Sequence, residues 1–189
     1  IDDKYFHLIR NYRRYSWILM YLFGSTPVVH ESFLKNKKHK LQKLGKETYG
    51  LPFATSLRMG GLGYTSNAQK EISVCYNHLD TYVQTLEKAR LKSYPEYEKI
   101  GIKDGDNYKQ LNTNLLQIDN EFYSTLRPKR TAKSKESALQ ALHRGGVEYI
   151  EVRLLDVDPF SDAGLSKEAV KFLHLFLLSC LLSDSPIID

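Results

Sequence analysis

Cysteine is scarce: Cys75 and Cys180 are the two in 189 residues. Two distant cysteines exclude a disulfide framework and a paired-cysteine zinc site, so both are expected as reduced thiols, Cys180 as a small hydrophobe inside an apolar run. Long hydrophobic runs are missing too. No stretch reaches the roughly 18 apolar residues of a membrane span, and the first residues lack the charged, apolar and small-residue order of a signal peptide. A cytoplasmic protein with no membrane partner is expected. The six histidines show no paired spacing of metal ligands on one helical turn. The remaining composition, 42% hydrophobic and 26% charged, is that of one globular domain with a sizeable core.

Acidic residues are outnumbered, 22 against 27 Lys and Arg, for a net charge of +5. Such a balance points to anionic partners, nucleic acid first among them. The distribution argues against nucleic acid. Lys35, Lys37, Lys38, Lys40, Lys43 and Lys46 form one cluster and Arg127, Lys129, Arg130, Lys133 and Lys135 another, with little aromatic interleaving for base stacking. The first cluster, with Gly45 and Gly50, reads as a mobile surface loop. The second either steers nucleotide phosphates or is an exposed basic turn.

Chemistry is concentrated in Gly145 to Phe160. Two glycines open the stretch, Pro159 closes it, and the β-branched, aromatic and aliphatic residues between them predict a strand of about ten residues. Side chains alternate along a strand, so Ile150, Val152 and Leu154 share one face and Tyr149, Glu151 and Arg153 the other. The first face is core. On the second, a carboxylate and a guanidinium two residues apart can hold a hard cation beside phosphate or carboxylate. A solvated face or neighbouring ion pairs would explain the same residues.

The rest of the chain predicts the frame. A helix over about 3–23 carries a stripe of Phe6, Ile9, Tyr12, Trp17, Met20, Tyr21 and Phe23, expected as core, and ends at Gly24 to Pro27. The glycines of 60–63 lack a phosphate-loop or dinucleotide context and read as turns needing positive φ. A second helix is predicted over 74–92 and a strand over 109–124 that places Leu116, Ile118 and Phe122 against Gln117, Asp119, Glu121 and Tyr123. A short helix follows a polar linker at 131–137. A helix over 166–182, apolar almost all round, is expected to be buried, with His174 as a core histidine. The chain opens at Ile1, just ahead of a helical pattern, and is read as an internal piece of a longer protein.

Five ordered blocks carry a family resemblance: Ile9 to Tyr12; Tyr21 to Pro27; Thr55 to Arg58 with Gly63 and Tyr64; Asn120 to Tyr123 with Arg127 to Arg130; and Gly145 to Arg153. Together they resemble glutamate–cysteine ligase of the gammaproteobacterial type, across nearly the whole chain. The resemblance implies an α+β fold in which an antiparallel sheet, backed by helices, forms part of a glutamine-synthetase-like cup. It makes residues 1–189 the central part of the ligase catalytic domain. The implied activity is ATP-dependent joining of the L-glutamate γ-carboxylate to the L-cysteine amine through γ-glutamyl phosphate, the first step of glutathione synthesis, with Mg2+ or Mn2+ as cofactor.

By the same resemblance Glu151 is a metal ligand, Arg153 is the catalytic residue on the transferred phosphoryl group, and Arg58, Tyr64 and Tyr123 form the cysteine-side pocket. The other metal-binding carboxylates and much of the glutamate pocket are expected outside the chain, so the isolated chain is expected to be inactive and the intact enzyme a monomer. Three alternatives stay open. One is the ligase module of a bifunctional glutathione-synthesising enzyme, the second a basic nucleic-acid-binding protein, the third a non-catalytic interaction protein.

Overall fold

The structure, a computed structural model, describes residues 1–188. Helix α1 (Asp2–Tyr15) is its centre. Phe6, Ile9 and Tyr12 recur at helical spacing and are sealed from solvent, while Asp2 and Asp3 at the first turn and Arg13 and Arg14 at the last complement the helix dipole. Its flanks are polar but still anchored. Asn11 Nδ2 donates to the carbonyls of Cys180 and Ser183 at 3.0 and 3.1 Å, and Arg10 donates to the carbonyls of Asn77 and Ser185. These bonds satisfy buried polar groups and lash the C-terminal segment to α1.

The predicted helix over 3–23 is two helices. Ser16 separates α1 from α2 (Trp17–Phe23), and the buried stripe does not continue across it. Trp17 and Tyr21, expected as core, are 60% and 69% exposed.

The lysine-rich stretch is an exposed loop over 35–41 and then turns into strand. Strands β1 (Val28–His30), β2 (Gln42–Lys43) and β3 (Thr48–Gly50) form a small antiparallel sheet in the order β1-β3-β2. Lys43 is exposed on the edge strand β2, where charge suits an edge, while Lys35, Lys37, Lys38 and Lys40 are exposed in the connection that leads to it. Helix α3 (Leu79–Leu91) buries Tyr82, Val83, Leu86 and Ala89. The helix ends at Leu91, and Pro95 opens α4 (Pro95–Ile100), where its missing N–H has no helical partner to lose. Strands β4 (Lys103–Asp104) and β5 (Asn107–Tyr108) make a short hairpin.

No strand runs over 109–124. Side chains take the backbone hydrogen bonds that a ladder would need: Gln117 Oε1 accepts from the Leu111 N–H, Asn112 Oδ1 from Asn114 and Glu121 Oε2 from Gln117. The strand lies later, as β6 (Leu126–Lys129). Helix α5 (Ala138–Gly145) starts at a capping box in which Ser137 and Gln140 satisfy each other's backbone N–H.

Strand β7 (Tyr149–Val152) pairs antiparallel with β6, matching Leu126 to Val152, Arg127 to Glu151, Pro128 to Ile150 and Lys129 to Tyr149. It is shorter than the ten residues predicted, but the ladder extends to Arg153, whose N–H donates to Thr125. The alternation holds: Leu126 and Leu154 enter the core under α1, and the polar face turns away from it.

Helix α6 (Lys167–Leu182), capped by Ser166, packs one face on α1. Its other face is bare. Leu175 and Leu182 are 65% and 81% exposed, and His174 is exposed rather than core. Among the described residues no helix is long and apolar enough to cross a membrane.

Candidate functional site

Tyr64 is the hub of the residues singled out in the sequence. Its ring meets that of Tyr123 at 4.5 Å between centroids, and two guanidinium carbons approach the same ring, Arg58 at 5.4 Å and Arg153 at 5.2 Å. Cation–π attraction and ring packing hold the four together. The Tyr64 hydroxyl donates to the Ser124 carbonyl at 3.4 Å, tying the hub to the chain two residues before β6.

Three separate segments deliver these groups. Arg153 comes from the end of β7, Tyr123 from the approach to β6, and Arg58 and Tyr64 from a tight turn closed by the Tyr64 N–H donating to the Arg58 carbonyl at 2.6 Å. Gly63 makes that turn possible, because any Cβ there would overlap the Arg58 carbonyl. The reason differs from the one the sequence indicated. None of Gly60, Gly61 and Gly63 has positive φ; Gly63 is needed for close approach.

Arg58 is fixed by the strand it faces. Its Nη2 donates to the Arg153 carbonyl at 2.9 Å and its Nη1 to the Leu154 carbonyl at 3.2 Å. A guanidinium carries five N–H donors, so these bonds anchor it and leave donors for a further carboxylate. The side chain keeps about a third of its surface in solvent, as a binding group must.

Glu151 lies one alternation before Arg153 on the same strand face. Its Oε2 is shielded from solvent and has no hydrogen-bond partner. The nearest cation is Arg127 Nη1, 4.0 Å away across the ladder. Arg127 is not part of an exposed basic turn: it is buried, and its Nη2 donates to the Phe122 carbonyl. A carboxylate oxygen left without a partner is the donor a hard divalent cation takes. Glu151 fits as one such ligand, and among the described residues no group of three or more His, Cys, Asp or Glu could hold a metal ion.

Beyond the other end of the same polar face, past Lys129 and Tyr149, lies an open cleft of about 600 Å³. Arg90, Lys129 and Arg130 line it together with Asp119 and Tyr149, a cationic rim beside an aromatic wall. Glu148 at its edge accepts from the Thr131 N–H and lies 4.0 Å from Arg130, which hold its carboxyl below the usual range.

Asp156 and Thr26, which back Arg58 from behind, were not singled out in the sequence. The signal was present for Asp156. It has the same parity as Ile150, Val152 and Leu154, so alternation alone places an acid on the core side, where it is 3% exposed.

A family model for glutamate-cysteine ligase matches residues 1–189. The glutamate–cysteine ligases of Hahella chejuensis and Saccharophagus degradans are each 57% identical to the chain, over 97% and 98% of its length and 35% of theirs. The chain therefore spans about a third of the length of the curated relatives it matches. The 2.0 Å crystal structure of glutamate–cysteine ligase from Francisella tularensis in complex with AMP matches with a TM-score of 0.93 at 41% identity, over 100% of this chain and 38% of that one. A bifunctional glutathione synthetase from Pasteurella multocida matches with a TM-score of 0.58 at 27% identity, over 97% of this chain and 18% of its own.

Proposed function

The chain belongs to the glutamate–cysteine ligase family, and from that premise we propose that the full-length protein uses ATP to join the L-glutamate γ-carboxylate to the L-cysteine amine. The γ-carboxylate attacks the γ-phosphorus of ATP and releases ADP. The cysteine amine then attacks the acyl carbon of γ-glutamyl phosphate, and phosphate leaves as the amine loses a proton. Residues 1–189 are, in this reading, the central part of the catalytic domain, and β6 and β7 contribute one wall of a cup closed by the rest of the protein. The observation that carries it is the hub at Tyr64, where two guanidinium groups and two phenols converge beside a carboxylate with an unpartnered oxygen.

Each residue has a task in that reaction. Arg153 lies against the transferred phosphoryl group and neutralises the charge that develops on it. Arg58 offers its spare donors to the cysteine carboxylate, and Tyr64 and Tyr123 enclose that substrate and orient its amine. Glu151 holds a divalent cation, Mg2+ or Mn2+, which when bound neutralises nucleotide phosphate charge. The cleft at Lys129 and Tyr149 suits the nucleotide, and the AMP complex of the Francisella tularensis ligase supports ATP as co-substrate. Higher identity to glutamate–cysteine ligases than to the bifunctional synthetase favours a single-function ligase, which this reading takes as a monomer in the cytoplasm.

The test is ADP release by the full-length protein with Mg2+ and ATP. Release that needs both glutamate and cysteine is expected. Release indifferent to cysteine, or driven better by another acceptor amine, overturns the proposal.

A further inference from the structure

We propose that Asp156 is the positioning residue of the cysteine-side pocket: it acts through Arg58 and sets where that guanidinium stands. The inference rests on the reading of Arg58 as the grip on the cysteine carboxylate. Asp156 is a charge placed where charges are rarely left. Its side chain is 1% exposed, and burying a carboxylate is unfavourable unless it is hydrogen-bonded and paired. One oxygen is well provided for: Oδ2 accepts from the Ser25 N–H at 3.0 Å and from the Thr26 hydroxyl at 2.7 Å. The other is not. Oδ1 has no hydrogen-bond partner, and its nearest cation is Arg58 Nη1 at 3.7 Å.

The placement of Asp156 explains this imbalance. Its two bonds fasten it to the corner after α2, and that corner is itself stitched to the turn carrying Arg58. Thr26 and Ser56 form a parallel bridge, the Leu57 N–H donates to the Thr26 carbonyl at 2.7 Å, and the Arg58 N–H donates to the Thr26 hydroxyl at 3.4 Å. Asp156 is therefore held by backbone and hydroxyl groups that do not depend on Arg58, and its free oxygen faces the guanidinium from the buried side. The carbonyls of Arg153 and Leu154 fix the same guanidinium from the strand. Backbone carbonyls supply direction, whereas only Asp156 supplies a compensating charge. Without that charge the guanidinium can rotate outward to water, because its side chain is already partly exposed.

Asp156→Asn keeps the shape and can still accept from Ser25 and Thr26, but removes the charge. In the full-length protein we expect the KM for cysteine to rise about tenfold, the size of one weakened charge-assisted contact, with the KM for ATP within about twofold. Asp156→Asn added to Arg58→Ala should raise the cysteine KM no further, since a residue acting through Arg58 has nothing left to act on. A rise in both KM values together, or a further rise in the Arg58→Ala background, overturns the inference while leaving Arg58 in place. If Arg58→Ala itself leaves the cysteine KM unchanged, the underlying reading of the site fails, and the inference with it. Should Asp156→Asn not fold, Thr26→Val removes the 2.7 Å bond to Asp156 together with the hydroxyl's longer contacts, 3.4 Å from the Arg58 N–H and 3.3 Å to Ser56 Oγ; it should raise the cysteine KM by a smaller factor, again only when the Arg58 guanidinium is present. An unchanged cysteine KM in Thr26→Val, with Arg58→Ala active as expected, overturns it too.

Discussion

Arg127 and Glu151 stand opposite each other in the β6–β7 pair, and their charged groups stop 4.0 Å apart without hydrogen bonding. The ladder brings them together, since directly paired residues share a face. The gap remains because Arg127 turns its Nη2 to the Phe122 carbonyl. Glu151 Oε2 is therefore shielded from water, near a cation, and still short of a partner, an arrangement that is unfavourable in a purely structural pair and useful in a ligand for a further cation.

Glu151→Gln separates the two roles. The change is isosteric and the Glu151 side chain is partly exposed, but Arg127 is buried, so losing this 4.0 Å pair should lower stability by about 1–3 kcal/mol. A neutral amide is a poor ligand for a hard divalent cation. In the full-length protein, ADP formation should fall on the order of 100-fold or more with a melting temperature lowered by only a few degrees. Near-normal turnover at ordinary magnesium would remove Glu151 from the metal site.

Tyr123→Phe tests the cysteine side alone. The ring stays packed against that of Tyr64, 4.5 Å away between centroids and tilted by 40°, and only the hydroxyl is lost. A neutral hydrogen bond to substrate contributes about 1 kcal/mol, so the KM for cysteine should rise about fivefold with that for ATP unmoved. Arg58→Ala should have the larger effect, because charge-assisted bonds are roughly twice as strong. Equal shifts for both substrates would place these residues in the wrong half of the site.

How far the sequence led depended on what competes with a local pattern. The short helix after the 131–137 linker and the bounds of α6 are local, and both were legible. The faces of β7 followed from alternation, even though only four residues keep regular pairing. The 109–124 segment misled because Asn112, Gln117 and Glu121 can bond their own backbone, which alternation does not register. Helix α6 misled for a different reason: an all-round apolar helix implies burial, yet this chain covers only the side facing α1. The site residues came from resemblance, and four of them converge at Tyr64, whereas the burial of Arg127 and the partners of Asp156, whose core-side place alternation already indicated, needed the contacts that only three dimensions supply.

The bare side of α6 predicts how the isolated 189-residue chain behaves. Leu175, Leu178 and Leu182 lie on one face, all exposed, and both outer edges of the β6–β7 pair lack a strand partner among the described residues. The isolated chain should self-associate, bind a hydrophobic dye and release no phosphate from ATP with glutamate and cysteine. Leu178→Ser with Leu182→Ser should reduce the association while changing stability by only about 0.5 kcal/mol, since the groups removed are already in water. A monomeric, dye-negative wild-type chain would contradict this.

Acid should loosen the entry to α5 before the core fails. Arg144 grips Glu136 with two bonds, Nε to Oε1 at 2.6 Å and Nη2 to Oε2 at 3.0 Å, and the Lys133 N–H adds a third at 2.7 Å. Led by the Arg144 bond, these hold the Glu136 carboxyl down at about 2, well below its ordinary value of 4.5. A carboxyl whose folded pKa is depressed contributes stability that is complete above its unfolded pKa and is lost as pH falls towards the folded one. The contribution of Glu136 should thus be intact above pH about 4.5 and vanish between there and about 2. Glu148, lowered chiefly by the Thr131 N–H, contributes with the same sign. Glu136→Gln cannot titrate, so its melting temperature should be lower than wild type at pH 7 and the two should converge as pH falls towards 2. A constant difference between them across that window would show that the Arg144 clasp does not couple to folding.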